Sequence, residues 1–250
     1  MHRFFVPPEQ CHGTEIELPE GEAHHAVKVL RLREGDRALV LNGQGEEILC
    51  TATSASRQGV RLRVTQRNPA KPPACRLTLF QAVVKPKAMD FILQKATELG
   101  VARIVPVLSE RSVSDLPGEA AAHKAVRWRS AAVEAAKQCG TPWLPAVEAP
   151  TPVSAVLAHS ERFDLQFVAS LQREARHPRE YFAAAPAWRH LGIWVGPEGD
   201  FTPAEMNAIR GAGALPITLG PLVLRSETAA LYCLSVLSYE AQARPPAGPA

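Results

Sequence analysis

The sequence predicts an α/β protein in which a small β-barrel precedes a larger domain built on a parallel sheet. Three observations carry this. Up to Arg67 the apolar residues follow the period of short strands joined by tight turns, and from Arg76 they follow strands alternating with helices. Between the two regimes, Asn68-Pro69-Ala70-Lys71-Pro72-Pro73 sets three prolines in six residues, a stiff connector. Near the C-terminus, Trp194 to Tyr232 reads as strand, glycine turn, helix, written twice. The domains expected are therefore residues 1–70 and 74–243. A Pro-, Ala- and Gly-rich tail, 244–250, is expected to be disordered.

In the first domain, Arg3 to Val6 predicts a strand, and Glu20-Gly21-Glu22 opens a short helix through His24, His25, Val27 and Leu30. Arg37 to Leu41 predicts a second strand, Asn42-Gly43 a hairpin turn and Glu47 to Thr53 the returning strand. From Gly59 alternation is strict, with Val60, Leu62 and Val64 on one face and Arg61, Arg63 and Thr65 on the other. In the second domain Leu77 to Val84 is a buried strand. Met89 to Gly100 is an amphipathic helix with Ile92, Ala96 and Leu99 on one face. Strands follow at Arg103 to Leu108 and Asp164 to Ala169, separated by a helix from Ala120 to Gln138 and a Pro-rich loop from Thr141 to Pro152. His190 to Val195 then leads into the doubled unit.

That unit carries the chemistry. Ile193-Trp194-Val195 and Ile217-Thr218-Leu219 have the character of buried strands, and each runs into a Gly-Pro turn, Gly196-Pro197 and Gly220-Pro221. Thr202-Pro203-Ala204-Glu205 is a capping box with proline at the first helical position. Ser226-Glu227 opens an apolar helix with a carboxylate at the positive end of its dipole. In an open α/β sheet ligands bind outside the carboxyl ends of strands, where these turns lie, and glycine lets the main chain approach a ligand closely. Arg225, Glu227 and Glu198 are set into the same stretch.

Composition narrows the function classes. The chain has 250 residues, 46% hydrophobic and 21% charged, with a formal net charge of +3, ordinary values for a globular protein. The distribution of charge is less ordinary. From Ile48 to Met89 there are eight Lys or Arg, among them Arg57, Arg61, Arg63, Lys85 and Lys87, and no Asp or Glu. Such a run suggests a polyanionic partner, or else a solvated face balanced by acids brought near in the fold. Five cysteines are scattered without a CxxC pair, which argues against a disulfide framework or a zinc site. His24-His25 has no ligand partner at i+4, so no metal is expected. MHRFFVPPEQ lacks the apolar core of a signal peptide and no run suggests a membrane span, so a cytoplasmic location and no membrane partner are expected. No G-x-G-x-x-G follows a strand, and neither a P-loop nor a G-x-S-x-G elbow is present. Lys95 and Glu98, at i,i+3, read as a helix ion pair.

Five blocks carry a family resemblance: HHAVKVLRLREGD (24–36), FILQKATELGV (91–101), EAAKQCG (134–140), VGPEGDFTPAE (195–205) and LGPLVLRSETA (219–229). With them the chain resembles, over nearly its whole length, the RsmE-type ribosomal RNA methyltransferases of the SPOUT superfamily. The resemblance implies a PUA-like barrel followed by a SPOUT domain whose C-terminal segment threads a trefoil knot. It implies S-adenosylmethionine as donor, N3 of a uridine in small-subunit (16S) ribosomal RNA as acceptor, as bare rRNA or an assembled small subunit, and a homodimer. It also implies cofactor-lining roles for Ala169, Gly196, Leu219, Gly220 and Leu224, and places Arg225, Glu227 and Glu198 beside the reacting centre. Lys28, Arg31, Arg33, Arg61, Arg63, Lys85 and Lys87 are the candidate RNA contacts. Three residues depart from the family pattern. Asp200 stands where a second glycine is common, and Leu222 and Thr141 stand where arginine is expected. Two other readings stay open: another SPOUT chemistry such as ribose 2′-O methylation, and a non-catalytic rRNA-binding assembly factor.

Overall fold

The computed structural model describes residues 1–56, 58–112, 118–159, 161–185 and 187–243. Arg57 of the basic run and the 244–250 tail lie outside the described residues. The chain divides into two compact units, Met1–Pro72 with Val133–Leu144, and Pro73–Ala132 with Pro145–Ala250.

The first unit is a five-stranded mixed sheet. Its elements are β1 (His2–Phe5), β2 (Glu15–Glu17), α1 (Glu20–Lys28), β3 (Arg37–Leu41), β4 (Glu46–Ser56) and β5 (Gly59–Pro69), with a 3-10 turn at Pro8–Gln10. The order is β1-β3-β4-β5-β2. Only the β1–β3 pair is parallel. The alternation read in the sequence holds: Val60 and Leu62 are buried while Arg61 and Arg63 are exposed. With Phe4, Ile16, Val40 and Ile48 they form a single core under α1. The hairpin turn is longer than Asn42-Gly43 alone. The Asn42 carboxamide oxygen accepts from the Gln44 and Glu46 amides (2.8 and 3.1 Å), and Gly45 lies at φ 88°. The Gly45 amide donates to Pro142 O (2.9 Å), and the Leu144 amide to Gly43 O (3.0 Å), so the 133–144 segment docks on the turn.

The second unit is all parallel. Its elements are β6 (Arg76–Ala82), α2 (Pro86–Glu98), β7 (Arg103–Leu108), α3 (Gly118–Cys139), β8 (Ala146–Val147), β9 (Thr151–Pro152), α4 (Val153–Ala158), β10 (Leu165–Ala169), α5 (Pro178–Ala184), β11 (His190–Val195), α6 (Pro203–Gly211), β12 (Leu215–Ile217) and α7 (Ser226–Ala243). The sheet order is β12-β10-β11-β6-β7-β8, with β9 also paired to β7. Both faces are covered, as near-continuous apolar strands require. Leu79 and Ile193 pack with Ile92 of α2 and Leu234 of α7. Phe80 and Trp194, stacked at 4.2 Å, pack on the other face with Met206 and Ile209 of α6. α7 buries Ala230, Cys233, Leu234 and Leu237 and leaves Tyr232 and Tyr239 exposed. Near its C-terminal end, within the first unit, α3 is held by Arg3, which donates to Lys137 O and Gln138 O (3.2 and 3.0 Å). Lys137 there is buried between Glu22 and Glu134, each 2.7 Å away.

Several elements differ from the sequence reading, which named no β2, α4 or α5. α2 starts at Pro86 rather than Met89, because proline serves as a first helical residue. The last strand is Leu215–Ile217 rather than 217–219. Its pairing with β10 ends at Ala169↔Ile217, and the Thr218 hydroxyl then accepts the Gly220 amide (3.2 Å), turning the chain out of the sheet. The 141–152 loop contains β8 and β9, two-residue strands too short to carry a period.

Gly45 provides a test of the first unit. A Cβ there would meet the Trp143 ring at 2.1 Å on a backbone of positive φ. Gly45→Ala should destabilise the protein by roughly 3 kcal/mol, combining overpacking with a disfavoured φ. Urea unfolding checks this, and a loss below about 1 kcal/mol would show that Trp143 yields freely.

Candidate active site

Parallel strands all end on the same edge of their sheet. In space β10 lies between β12 and β11, so the chain crosses back over it to form β12, and the loops after these three strands converge. They enclose one cleft. Ala169, Gly196, Leu219, Gly220 and Leu224 all line it, together with Glu198, Ser170, Leu171, Asp200, Val223 and Ser226. The five residues expected to hold a cofactor are thus brought together, with one of the three expected at the chemistry. Arg225 and Glu227 do not line the cleft. They stand at the start of α7, next in sequence to the lining residues Leu224 and Ser226.

The first loop, 196–202, is held from several sides. The Asp200 amide closes a turn onto Pro197 O (3.0 Å). A Cβ on Gly196 would meet Asp200 Oδ1 at 3.0 Å and the Phe201 amide at 3.2 Å, so little but glycine fits there. Thr202 and Glu205 form the expected capping box (3.3 and 2.9 Å). The second Glu205 carboxylate oxygen accepts from the Glu110 amide (2.9 Å), and Arg111 donates to Gly199 O (2.7 Å). Asp200 has φ 60°, a left-handed conformation that glycine adopts freely and Asp tolerates, and its carboxylate accepts from the Phe201 amide (2.8 Å). The departure at this position therefore preserves the turn. Burial pushes the Asp200 carboxyl above its ordinary pKa, partly opposed by the Phe201 amide and Arg111.

The second loop, 218–225, turns at Gly220, φ 105°, and exposes Leu222 (72%) and Val223 (79%). A buried relay links it to the first. Gln81, at the end of β6, donates through Nε2 to the Ser226 hydroxyl (3.0 Å) and to Ala82 O (3.0 Å). Ser226 in turn donates to Gly196 O (2.7 Å). Gln81 Oε1 is buried without a partner among the described residues.

Arg225 is exposed, and its carbonyl accepts the Ala229 amide (2.8 Å), fixing its main chain. Among the described residues it forms no ion pair with Glu198 or Glu227. By contrast Lys95 and Glu98 do pair, at 2.8 Å, as a simple helix ion pair. Of the candidate RNA contacts, Lys28, Arg31 and Arg33 are exposed on and after α1, and Lys85 and Lys87 are exposed at the start of α2. Arg61 and Arg63 are exposed on β5, but the register sets them opposite Glu17 and Glu15 of β2. Arg67 is turned to structure, bridging Glu46 at 3.1 Å. The basic run is therefore partly balanced by acids that the sequence places elsewhere. Sequence reasoning missed Gln81 and Arg111. The signal for the first was a carboxamide inside the apolar run from Leu77 to Val84. The second carried none beyond its place after a strand.

The cleft fits a small cofactor held by main chain: a close-packed glycine at Gly196, a left-handed one at Gly220, an apolar wall from Ala169, Leu219 and Leu224, and few charged side chains. Among the described residues no group of three His, Cys, Asp or Glu could hold a metal ion, and no helix is long and apolar enough to cross a membrane.

Comparisons with known proteins agree with this geometry. Residues 71–238 match the model of an RNA methyltransferase domain and residues 18–65 that of an RNA methyltransferase PUA domain. The chain is 32% identical to the ribosomal RNA small subunit methyltransferase E of Bacillus subtilis, over 97% of this chain and 98% of that one. Among solved structures, a putative methyltransferase from Legionella pneumophila in complex with bound cofactor SAM superposes with a TM-score of 0.87, at 29% identity, covering 95% of this chain and 97% of that one. The ribosomal RNA small subunit methyltransferase E of Neisseria gonorrhoeae bound to S-adenosyl methionine gives 0.85, at 27% identity, covering 96% and 98%.

Asp200 yields a prediction with a definite sign. A carboxyl whose pKa is raised on folding favours the native state below its unfolded value, and that contribution is lost as pH rises through the folded value. Asn keeps both the acceptor for Phe201 and the tolerance for positive φ. Asp200→Asn should therefore be at least as stable as the wild type at pH 7, with its advantage shrinking as pH falls through the carboxylate range. Urea unfolding at both ends of that range measures this, and a gain that grows on acidification would refute it.

Proposed function

The chain belongs to the ribosomal RNA small subunit methyltransferase E family of RNA methyltransferases, and on that premise we propose that it transfers a methyl group from S-adenosylmethionine to N3 of a uridine in 16S ribosomal RNA. The observation that carries the proposal is the cleft at the ends of β10, β11 and β12, walled by main chain and apolar side chains, with an exposed arginine next in sequence to its lining.

Gly196 and Gly220 bring main-chain groups within reach of the cofactor, and Ala169, Leu219 and Leu224 offer apolar contact for its base and ribose. When bound, that cofactor supplies a methyl already activated by a sulfonium. The chain's task is then the nucleophile: the N3 proton of a uridine must leave, and the charge left on the ring oxygens must be stabilised. Of the two glutamates set beside the reacting centre, Glu198 lines the cleft and Glu227 does not, and the third carboxylate there, Asp200, is engaged by the Phe201 amide, so Glu198 is assigned to the proton. Glu227 remains near the positive end of the α7 dipole. Arg225 is exposed, without an ion pair among the described residues and fixed in its main chain, which suits a guanidinium that meets the developing oxyanion. Lys28, Arg31, Arg33, Arg61 and Arg63 of the first unit, and Lys85 and Lys87 of the second, are assigned to phosphates.

The return of the chain from edge strand β12 to α7, which packs on β11 and β6, supports a knotted crossing. The exposed Leu222 and Val223 before α7, with Tyr232 and Tyr239 along it, support a homodimer. The protein then works in the cytoplasm, where its substrate is made.

Arg225→Ala should stay folded and keep S-adenosylmethionine affinity within a few-fold, yet lose on the order of 100-fold to 1000-fold in single-turnover methyl transfer to small-subunit rRNA. Arg225→Lys should recover little, since a point charge does not reproduce the fork. Near-normal turnover in Arg225→Ala would return this residue to a surface role. Nucleoside analysis of the product decides between N3 and ribose methylation.

The phosphate contacts are tested through salt. Arg61→Glu with Arg63→Glu should weaken rRNA binding at low salt and flatten the salt dependence by about 0.7 per lost single-strand contact. Cofactor affinity should be unchanged. An unaltered salt slope would mean that Glu15 and Glu17 already neutralise this face.

A further inference from the structure

We propose that Gln81 is a positioning residue for the methyl-donor site: its carboxamide fixes the direction of the Ser226 hydroxyl, and through it the Gly196 carbonyl and the first cleft loop. This deepens the functional reading above and rests on it.

The direction of the relay follows from hydrogen count. Gly196 O has no hydrogen, so at 2.7 Å the single hydroxyl hydrogen of Ser226 must point to it. Ser226 Oγ can then only accept from Gln81. The same Gln81 nitrogen faces Ala82 O at 3.0 Å, where a carbonyl oxygen would repel. The amide orientation is thus set by its neighbours on both counts. The relay joins the central strand β6, the first residue of α7 and the first residue of the loop after β11, which are 145 and 30 positions apart along the chain.

Gln81 is fully buried and does not itself line the cleft, so it acts through Ser226 and Gly196, which do. Its Oε1 meets no partner among the described residues. For packing alone, an apolar side chain of the same length would serve better at this position, because it would bury no orphan acceptor. What only the amide supplies is a donor at Ser226. The loop it steadies has a second anchor at Arg111 on Gly199 O, so the relay governs the Gly196 end of the loop.

A structural role and a positioning role separate in the substitutions Gln81→Met and Gln81→Glu. Methionine keeps length and burial, removes the orphan oxygen and removes the donor. Gln81→Met should therefore unfold within about 3 °C of the wild type. It should bind S-adenosylmethionine about tenfold more weakly by titration calorimetry. Without cofactor, hydrogen exchange over residues 196–201 should be faster. Ionised glutamate presents only acceptors, which takes the one Ser226 hydrogen away from Gly196, so Gln81→Glu should bind more weakly still at a pH where its carboxyl is ionised. A folded Gln81→Met that binds within twofold of wild type and exchanges at the same rate overturns the inference. If Gln81→Met does not fold, Ser226→Ala cuts the same link from the other end, and unchanged exchange and affinity there overturn it equally. Wild-type protein that fails to bind S-adenosylmethionine sinks the functional reading instead, while exchange in the unliganded variants still decides whether Gln81 holds the loop.

Discussion

The end of a parallel sheet leaves main-chain donors and acceptors without ladder partners, and the larger unit is organised around how three neighbouring strands resolve this. Beyond β10, the Ser170 amide reaches across to Ile217 O (3.0 Å); beyond β12, the Thr218 amide reaches Arg176 O (3.0 Å). Beyond β11, Gly196 O is taken by the Ser226 hydroxyl. Buried main-chain groups must be paired, and here each pairing also fixes the start of a loop. The groups left over face a cleft rather than a core. A ligand received there meets a surface whose shape is already determined, so little ordering cost falls on binding.

That constraint accounts for the kind of residues found at the site. Recognition by main chain asks for close approach and unusual φ, which glycine provides at positions 196 and 220. It asks little of charged side chains, so no ligand-binding signature of Asp, His or Lys appears. The spatial order of β12, β10 and β11 does the rest: the chain's reversal over β10 gathers the loops at a switch point of the sheet. Asp200 shows how far such a site tolerates change. The turn needs a left-handed residue, and an aspartate whose carboxylate accepts the next amide supplies one at the cost of a raised pKa.

What the sequence made legible is what short-range chemistry determines. The capping box at Thr202, the helix start at Ser226 and the two glycine turns are decided by neighbours a few residues apart, and each stands where the spacing put it. That Ala169, Gly196, Leu219, Gly220 and Leu224 share one cleft was legible only through the family resemblance, because composition does not encode sheet order. What lay beyond reach depends on distant pairing. β8 and β9 exist because β7 offers them an edge, not because two residues carry a pattern. The 133–144 segment belongs with the first unit because Trp143 packs against Gly45 and Lys137 pairs with Glu22, partners far from it in sequence. Gln81 was hidden for the opposite reason: one polar residue in an apolar strand looks like noise until Ser226 is placed beside it.

The basic run illustrates the same limit for electrostatics. Counted along the chain, Ile48 to Met89 holds no acid, yet strand pairing sets Glu15 and Glu17 against Arg63 and Arg61, and Arg67 is consumed by Glu46. Arg61 and Arg63 form no ion pair among the described residues, so opposition across the strands leaves their guanidinium groups available to a stronger anion. A phosphate can still compete, but it does so against a partner already present. The cations at Lys28, Arg31 and Arg33 face that competition less, with only Asp36 bonded nearby, through the Arg33 amide rather than its side chain. In the second unit Lys85 and Lys87 follow β6, and so stand on the sheet edge where the cleft loops emerge, as Arg225 does after β12. On the proposed function, phosphate attraction from the first unit and charge stabilisation at the cleft would be separate tasks: a loss in the first would be recovered by lowering the salt, and a loss at Arg225 would not.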